Sequence, residues 1–458
     1  MSLLVLAVRD RLEMRQRAGP AERAAGVHSL SGRAVTTEEV LVSAAPAMIP
    51  DAVRGSVNLV SPFSAPSASP PPCCITLGRV TTSELSTLSP TAGPARPARH
   101  LTSGKARIYT LTLDAFPHFN VNVFLVVIGE AAAPTYTALI DTGSSHLGST
   151  AGLEAGVAAV QALWGEEVRW ASLSRVIVTH AHPDHVAGLP FVRGLTRAPV
   201  AAHALDVPTI ENPHAARDAA TLQVEDQIRW AGLPDKNEAV IGEAVKGEAA
   251  GPPDYATRLR RRSRNPMLPE GVTVETVLHG GELLDGYFRI IYTPGHEGGQ
   301  VCLHLHDVLF SADHLLPHNS PPLMPERAQR GAGLTHYLAS LDQVEALSGV
   351  SVALGGHGGP MTDWRGRIEQ LRARYQDKLQ AVLTAAGEAV TVHDLTLRLY
   401  PQISQFQALL LLDQTGALVE YLVRHQALEE VNPAAAATGA HEPALFRTVR
   451  GRVLKQNV

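Results

Sequence analysis

Val-Ile-Val-Thr-His-Ala-His-Pro-Asp-His, residues 176–185, is the stretch that decides the fold. Three histidines and an aspartate crowd into six positions behind an apolar run. In an extended segment residues two apart point the same way, so His180, His182 and Asp184 share a phase. A helix would instead bring positions three and four apart together. The expected picture is a buried strand, Arg175 to Thr179, opening into a loop that aims several donor atoms at one point. Imidazole nitrogen and carboxylate oxygen suit zinc and similar divalent cations. With 20 histidines and 44 acidic residues in 458 positions, chance supplies only about 0.004 such patterns per chain. A merely solvated polar loop is therefore a poor reading of the stretch.

Working outward, further donors sit where other strands end. His296 lies in YTPGHEGG, after Ile290-Ile291-Tyr292, and Asp313 lies in VLFSADH, after Val308 to Phe310. His357 lies in VALGGHGGP, after Val352 to Leu354, and Asp141 lies in ALIDTGSS. Ligands of open α/β sheets gather outside such strand ends. Each residue alone would read as a surface group or a satisfied core group; together they point to a metal site.

Composition sets wide bounds. At 458 residues the chain has room for two or three domains. Its 45% hydrophobic and 18% charged residues are those of an ordinary globular protein. A net charge of −5 offers no footprint for bulk nucleic-acid binding. No run of eighteen apolar residues occurs, and Leu3 to Val8 is shorter than a signal-peptide core, so no membrane partner and a cytoplasmic location are expected. Three cysteines, Cys73, Cys74 and Cys302, cannot build a disulfide framework.

Three regions are expected. Residues 1–104, interleaving Pro66, Pro70, Pro71, Pro72, Pro90, Pro94 and Pro97 with Ser, Ala and Thr, read as a disordered extension. Residues 105–362 alternate strands with helices and form an α/β layered domain. Strands are expected over 106–128 (with a turn at Phe116 to Phe119), 136–140, 175–179, 272–277, 289–292, 301–306, 308–310 and 350–354. Helices are expected over 151–163, 223–231 and 337–347. The segment 205–272 interrupts the rhythm as a cap-like insertion. Its cluster Arg258, Arg260, Arg261, Arg262 and Arg264 reads first as a solvated helix face, with an anionic substrate as the alternative. Residues 363–458 are helical, resembling a small winged-helix domain, with Thr391 as a helix cap.

The five motifs, in this order, resemble the metallo-β-lactamase superfamily. The resemblance implies a four-layer αββα sandwich over residues 106–362, followed by the extra helical domain of its hydrolase branches. It implies one metal held by His180, His182 and His296. A second would be held by Asp184, His185 and His357, with Asp313 bridging and Asp141 orienting the histidine loop. Two zinc ions per chain are expected, with iron and manganese as open alternatives. Such a pair acidifies a shared water, and the resulting hydroxide attacks an electrophilic carbon or phosphorus. Asp184 is further expected to pass a proton to the leaving group.

The pattern HLLPHNSPP, His314 to Pro322, and the terminal helices resemble a hydroxyacylglutathione-hydrolase-like or lactamase-β-2-like branch. The expected activity is hydrolysis of a small thioester, ester or lactone. A single-strand ribonuclease of the same fold and a mononuclear-iron persulfide dioxygenase are the alternatives. A non-enzymatic member with a dead site ranks last, because all seven ligand positions are filled. His118, His314 and His318 are candidates to line the pocket. A small molecule is the expected partner, RNA the lesser one, and homodimerisation is open.

Overall fold

A computed structural model of the chain describes residues 96–234, 254–402, 407–433 and 442–449. Strands β1 (Ala98–Leu101), β2 (Arg107–Phe116), β3 (Phe119–Glu130) and β4 (Ala133–Ile140) pair antiparallel in chain order. Helix α1 (Leu147–Trp164) then carries the chain to β5 (Arg175–Ile177), which lies parallel to β4. His146 caps α1 by accepting the Gly148 amide, and Gly165, left-handed at φ 66°, ends it. Two short helices, α2 (Pro183–Val186) and α3 (Leu189–Leu195), lead to β6 (Val200–His203). Helices α4 (Val207–Glu211), α5 (Pro213–Ala231) and α6 (Tyr255–Ser263) precede β7 (Thr276–Leu278), which closes a seven-stranded sheet.

The second sheet has the order β12-β11-β10-β9-β8. It comprises β8 (Leu283–Leu284), β9 (Phe288–Tyr292), β10 (Val301–Leu305), β11 (Val308–Ala312) and, after helix α7 (Leu334–Glu345), β12 (Val352–Gly355). Only β11 and β12 pair parallel. The two sheets face each other across one core, in which Ile108, Phe124 and Ile140 meet Phe288, Val301 and Phe310. Alternate residues of the first sheet, Leu111, Leu125 and Val176, point away from that core and pack with Leu153 and Val160 of α1. Ile291, Cys302 and Leu309 of the second sheet pack outward with Tyr337 of α7 and Ile368 and Leu371 of α8 (Trp364–Ala385). Helix, sheet, sheet, helix is the αββα sandwich expected. Burial on both faces is why Ala138 to Ile140 of β4, Val176 and Ile177 of β5, and Val352 to Leu354 of β12 are all apolar.

Helices α9 (Val392–Leu399) and α10 (Ala408–Arg424) follow, then a two-stranded antiparallel ribbon of β13 (Leu428–Glu430) and β14 (Phe446–Thr448). Thr391 Oγ1 accepts the Asp394 amide at 3.0 Å, the cap expected for α9.

Several expectations need correction. Ordered structure begins before residue 105: β1 pairs with β2, Ala106 N donates to Thr102 Oγ1, and Ser103 N donates to Asp307. Main-chain pairing, indifferent to side-chain apolarity, holds this segment; residues 1–95, with Cys73 and Cys74, lie outside the described residues. The expected boundary at residue 363 is not a break in the core, because α8 is part of the sandwich's outer layer. The 205–272 insertion shares that core too: Val224, Ile228, Tyr255 and Leu259 pack in the cluster that holds Leu409, Leu418 and Leu422. Residues 272–274 form no strand. Val272 N bonds to Ile210 O and Val274 N to Glu211, so their alternation faces α4 and no strand partner, and β7 spans only three residues. Among the described residues no helix is long and apolar enough to cross a membrane.

Candidate metal centre

The opening stretch folds in two parts. Strand β5 ends at Ile177, the chain bends at Thr179, and His182, extended at φ −74° and ψ 145°, takes the N-cap position of α2. Pro183, pre-set for helical φ, starts that single turn. His180 and His182 thus stand on the short connection between β5 and α2. Asp184 does not, because it and His185 project from the first turn of α2.

The distant donors converge. His182 Nδ1 lies 3.1 Å from His180 Nε2 and 3.0 Å from His296 Nε2. His357 Nε2 lies 3.4 Å from Asp184 Oδ2 and 3.2 Å from Asp313 Oδ2. His185 Nε2 lies 3.7 Å from Asp184 Oδ2 and 3.4 Å from Asp313 Oδ1. The Asp313 carboxylate also approaches the first group, with Oδ2 3.6 Å from His296 Nε2. The donors thus form three overlapping groups, each with its donor atoms within 4.8 Å of one another: His180/His182/His296, Asp184/His185/His357, and His180/His185/Asp313, which links the first two.

What lies behind these side chains sets which nitrogen faces inward. His296 Nδ1–H donates to Pro322 O at 2.7 Å, and His357 Nδ1–H donates to Asn120 O at 2.6 Å. A backbone carbonyl only accepts, so each ring commits its Nδ1 proton there and turns Nε2 toward the cluster. Asp141 does the same for both groups at once. Its Oδ1 accepts the Thr179 amide, and its Oδ2 accepts the Thr179 hydroxyl and His185 Nδ1–H, all at 2.8 Å. With its proton committed to Asp141, Thr179 Oγ1 accepts from His180 Nδ1–H at 3.1 Å. Asp141 holds a left-handed backbone, φ 62°, uncommon for any residue but glycine and most tolerable for Asp and Asn.

The electrostatics sort into donors and counter-charges. Burial, then neighbouring imidazoles, push His180 and His182 well below their ordinary value; burial also lowers His296. These three are neutral, with lone pairs available. Burial alone would lower His185, but the carboxylates of Asp313, Asp141 and Asp184 raise it well above its ordinary value. Burial opposes His357 likewise, yet Asp313 and Asp184 raise it to about 10. Burial would raise Asp184, but His185 and His357 hold it at about 2, and the same pair keeps Asp313 well below the carboxylate range.

A divalent pair fits this donor set. His185 Nε2 and Asp313 Oδ1 are fully buried and without a hydrogen-bond partner, although they face each other. Buried polar atoms are normally satisfied, so a pair of orphans aimed into one cluster marks a place for a cation. Five imidazoles and two carboxylates are a zinc-compatible set.

Gly356 makes the approach feasible. A Cβ there would lie 2.3 Å from Asp313 Oδ1 and 2.6 Å from His185 Cε1. Gly356→Ala is expected to displace both side chains, lowering stability by about 1–3 kcal/mol and leaving bound metal below the wild-type stoichiometry; elemental analysis of the purified variant checks this.

Sequence reasoning missed a pair of acids behind His296. Glu297 and Asp206 are both buried and lie close enough to interact; burial raises both, and the neighbouring Glu297 carboxylate helps push Asp206 well above the carboxylate range. Glu297 accepts the Gly299 amide at 2.9 Å and the Gln329 side-chain amide, tying down the loop that carries His296. Acidic side chains in loops read as solvated, so nothing in the sequence marks this pair. Folding raises the Asp206 pKa. Its favourable contribution is therefore full below its unfolded value, about 3.9, and is lost as pH climbs through the folded value. Asp206→Asn carries its amide hydrogens at any pH, so it is expected to melt above wild type at pH 8, with the gap closing towards pH 4.

The pocket candidates divide. His118 is exposed at the β2–β3 turn and His318 is exposed, whereas His314 is wholly buried against Tyr337 and is driven by burial to about 3. His314 is therefore a core side chain and lines no open pocket. The ring of Phe119 packs on that of the candidate ligand His357, with centroids 4.9 Å apart. The arginine cluster is not simply a solvated face: Arg260 pairs with Glu225 at 2.6 Å and Arg262 with Asp413, joining α6 to α5 and α10. Both side chains are about 15% exposed or less.

An αββα sandwich with a His/Asp cluster at its strand ends has the architecture of a metal-dependent hydrolase. The family model described as the metallo-beta-lactamase superfamily matches residues 117–377, and the chain belongs to that superfamily. Among solved structures it is similar to TTHA1429, a metallo-beta-lactamase family protein of Thermus thermophilus. Identity is 25%, the TM-score 0.56, and the match covers 75% of this chain and 98% of that one. It is also similar in fold to a beta-lactamase domain protein of Burkholderia ambifaria, at 18% identity and TM-score 0.57, covering 79% of this chain and 96% of that one. No curated protein sequence matches the chain.

Proposed function

We propose that the chain is a dinuclear zinc hydrolase acting on a small thioester, ester or lactone. His180, His182 and His296 hold one cation, Asp184, His185 and His357 hold the other, and Asp313 serves both. The observation that carries this reading is the buried pair His185 Nε2 and Asp313 Oδ1, 3.4 Å apart with no hydrogen bond made by either atom, where the groups of donors meet. Bound zinc supplies a Lewis acid that lowers the pKa of water and polarises a scissile carbonyl. The chain's own part is to pre-orient. The carbonyls of Pro322 and Asn120 aim His296 and His357, and Asp141 aims His185 and, through Thr179, His180.

The substrate class follows the hydroxyacylglutathione-hydrolase-like resemblance of residues 314–322. The ribonuclease alternative leaned on the arginine cluster, and pairing of Arg260 and Arg262 removes most of that support. The test is a side-by-side assay of S-D-lactoylglutathione, a homoserine lactone and single-stranded RNA, on chelator-treated protein with and without added zinc. Zinc-dependent cleavage of the thioester or the lactone is expected. RNA cleavage alone, or oxygen uptake with one iron per chain, would overturn the reading.

A further inference from the structure

The loop from Asp313 to Pro322 begins at the residue between the two donor groups and ends at the carbonyl that orients His296. Its backbone carbonyls are held almost entirely by side chains. Tyr337 O–H of α7 donates to His314 O at 3.0 Å, and Ser311 O–H donates to Leu315 O at 2.8 Å. Helix α8 supplies the rest. Arg367 Nε–H donates to Leu316 O at 2.7 Å and its Nη2 to Asn319 O at 2.9 Å. Arg374 donates to His318 O at 3.0 Å, and Tyr375 O–H donates to Pro321 O at 3.1 Å.

Arg367 stands out because its side chain is buried, the residue being 4% exposed, yet among the described residues it takes part in no ion pair; its third acceptor is the Gln370 side chain at 3.1 Å. Burying a cation without a carboxylate is costly, and apolar replacements of buried charge are often neutral or stabilising. Fold stability is therefore a weak reason for an arginine here. The planar fork, however, can hold two carbonyls three residues apart in fixed relation, which no apolar side chain and no lysine can do.

We infer that Arg367, assisted by Tyr375, is a positioning residue for the metal centre. Through the 313–322 loop, α8 fixes Asp313 at one end and the Pro322 carbonyl behind His296 at the other. A helix of the sandwich's outer layer is thus part of the apparatus that sets metal affinity. This inference rests on the metal centre proposed above.

The experiment titrates metal-free wild type, Arg367→Met, Tyr375→Phe and Arg372→Met with cobalt(II), following the visible bands that report ligand geometry; circular dichroism checks the fold. Arg367→Met is expected to bind cobalt at least about tenfold more weakly and with altered bands, the scale seen when groups behind metal ligands are removed. Tyr375→Phe, which deletes one hydroxyl, should shift both readouts in the same direction and less. Arg372→Met, on the same helix but paired with Asp342 and Glu345 of α7 and not with the loop, should match wild type. A purely structural role would lower the melting temperature and leave cobalt affinity and bands unmoved. That result in folded Arg367→Met, or in Tyr375→Phe should the former not fold, overturns the inference. A wild-type chain that takes up no cobalt would instead bring down the metal centre itself.

Discussion

An Asp313→Ala protein is expected to hold no stoichiometric metal and to lose on the order of a thousandfold or more in kcat/KM, since the metals' stabilisation of transition-state charge is worth several kcal/mol. Among the described residues Asp313 is the one side chain whose oxygens approach both donor groups: Oδ1 reaches His185, and Oδ2 reaches His357 and His296. Removing it deprives each group of an anionic donor at once, so the loss should exceed that from any single imidazole. The metal-free fold should suffer less. Asp313 helps keep His185 and His357 protonated. Without it Asp141 and Asp184 still face His185, and Asp184 still faces His357, which limits the cost to about 1–3 kcal/mol. The sign with pH is fixed. Folding depresses the Asp313 pKa, so its contribution exists above the ordinary carboxylate value and fades as pH falls through the folded one. Melts of metal-free wild type and variant should therefore differ at pH 7 and converge in acid. Retained metal at wild-type stoichiometry would contradict the assignment of Asp313 as the shared residue.

The second large effect is expected from Asp141→Asn. The substitution keeps size and tolerates φ 62°, so the backbone is spared. It removes the negative charge and replaces an accepting oxygen with an NH2 group. One of the three donors to Asp141 (the Thr179 amide, the Thr179 hydroxyl or His185 Nδ1–H) must then face a donor. Either outcome spreads. A reoriented Thr179 hydroxyl frees the tautomer of His180, and a displaced His185 withdraws Nε2 from Asp313. Metal affinity should fall about 10–100-fold, in competition with a chromophoric chelator, and both equivalents should weaken because Asp141 backs one ligand of each group. Weakening confined to one equivalent would mean that the Thr179 relay to His180 is not operating.

Much of this was legible before any coordinates, and for a physical reason. A strand buried on both faces must be apolar throughout, so a sudden change to His, Asp and Gly marks where it leaves the sheet. The runs before Asp141, His180, His296, Asp313 and His357 all carry that mark. The β2–β3 turn at Phe116 to Phe119 and the Thr391 cap were legible because turns and caps require particular residue types.

What was not legible depends on the backbone or on distant partners. The carbonyls that aim His296 and His357 belong to Pro322 and Asn120, and any residue has a carbonyl. β1 is held by main-chain pairing, to which side-chain composition is blind. The single turn of α2 breaks the two-residue phase at Asp184 because Pro183 starts a helix there. Glu297 and Arg367 read as surface charges, since nothing local reveals that Asp206 or the 313–322 loop will bury them. The arginines of α6 looked solvated for the same reason: Glu225 and Asp413 lie far away in sequence.

The central claim is that remote strand ends close around a pair of cations. It is tested most directly by anomalous diffraction at the zinc edge from crystals grown with zinc. Two peaks per chain are predicted, one ringed by His180, His182 and His296, the other by Asp184, His185 and His357, with Asp313 touching both. Absence of any peak among these seven side chains, or zinc bound only elsewhere on the chain, would contradict it.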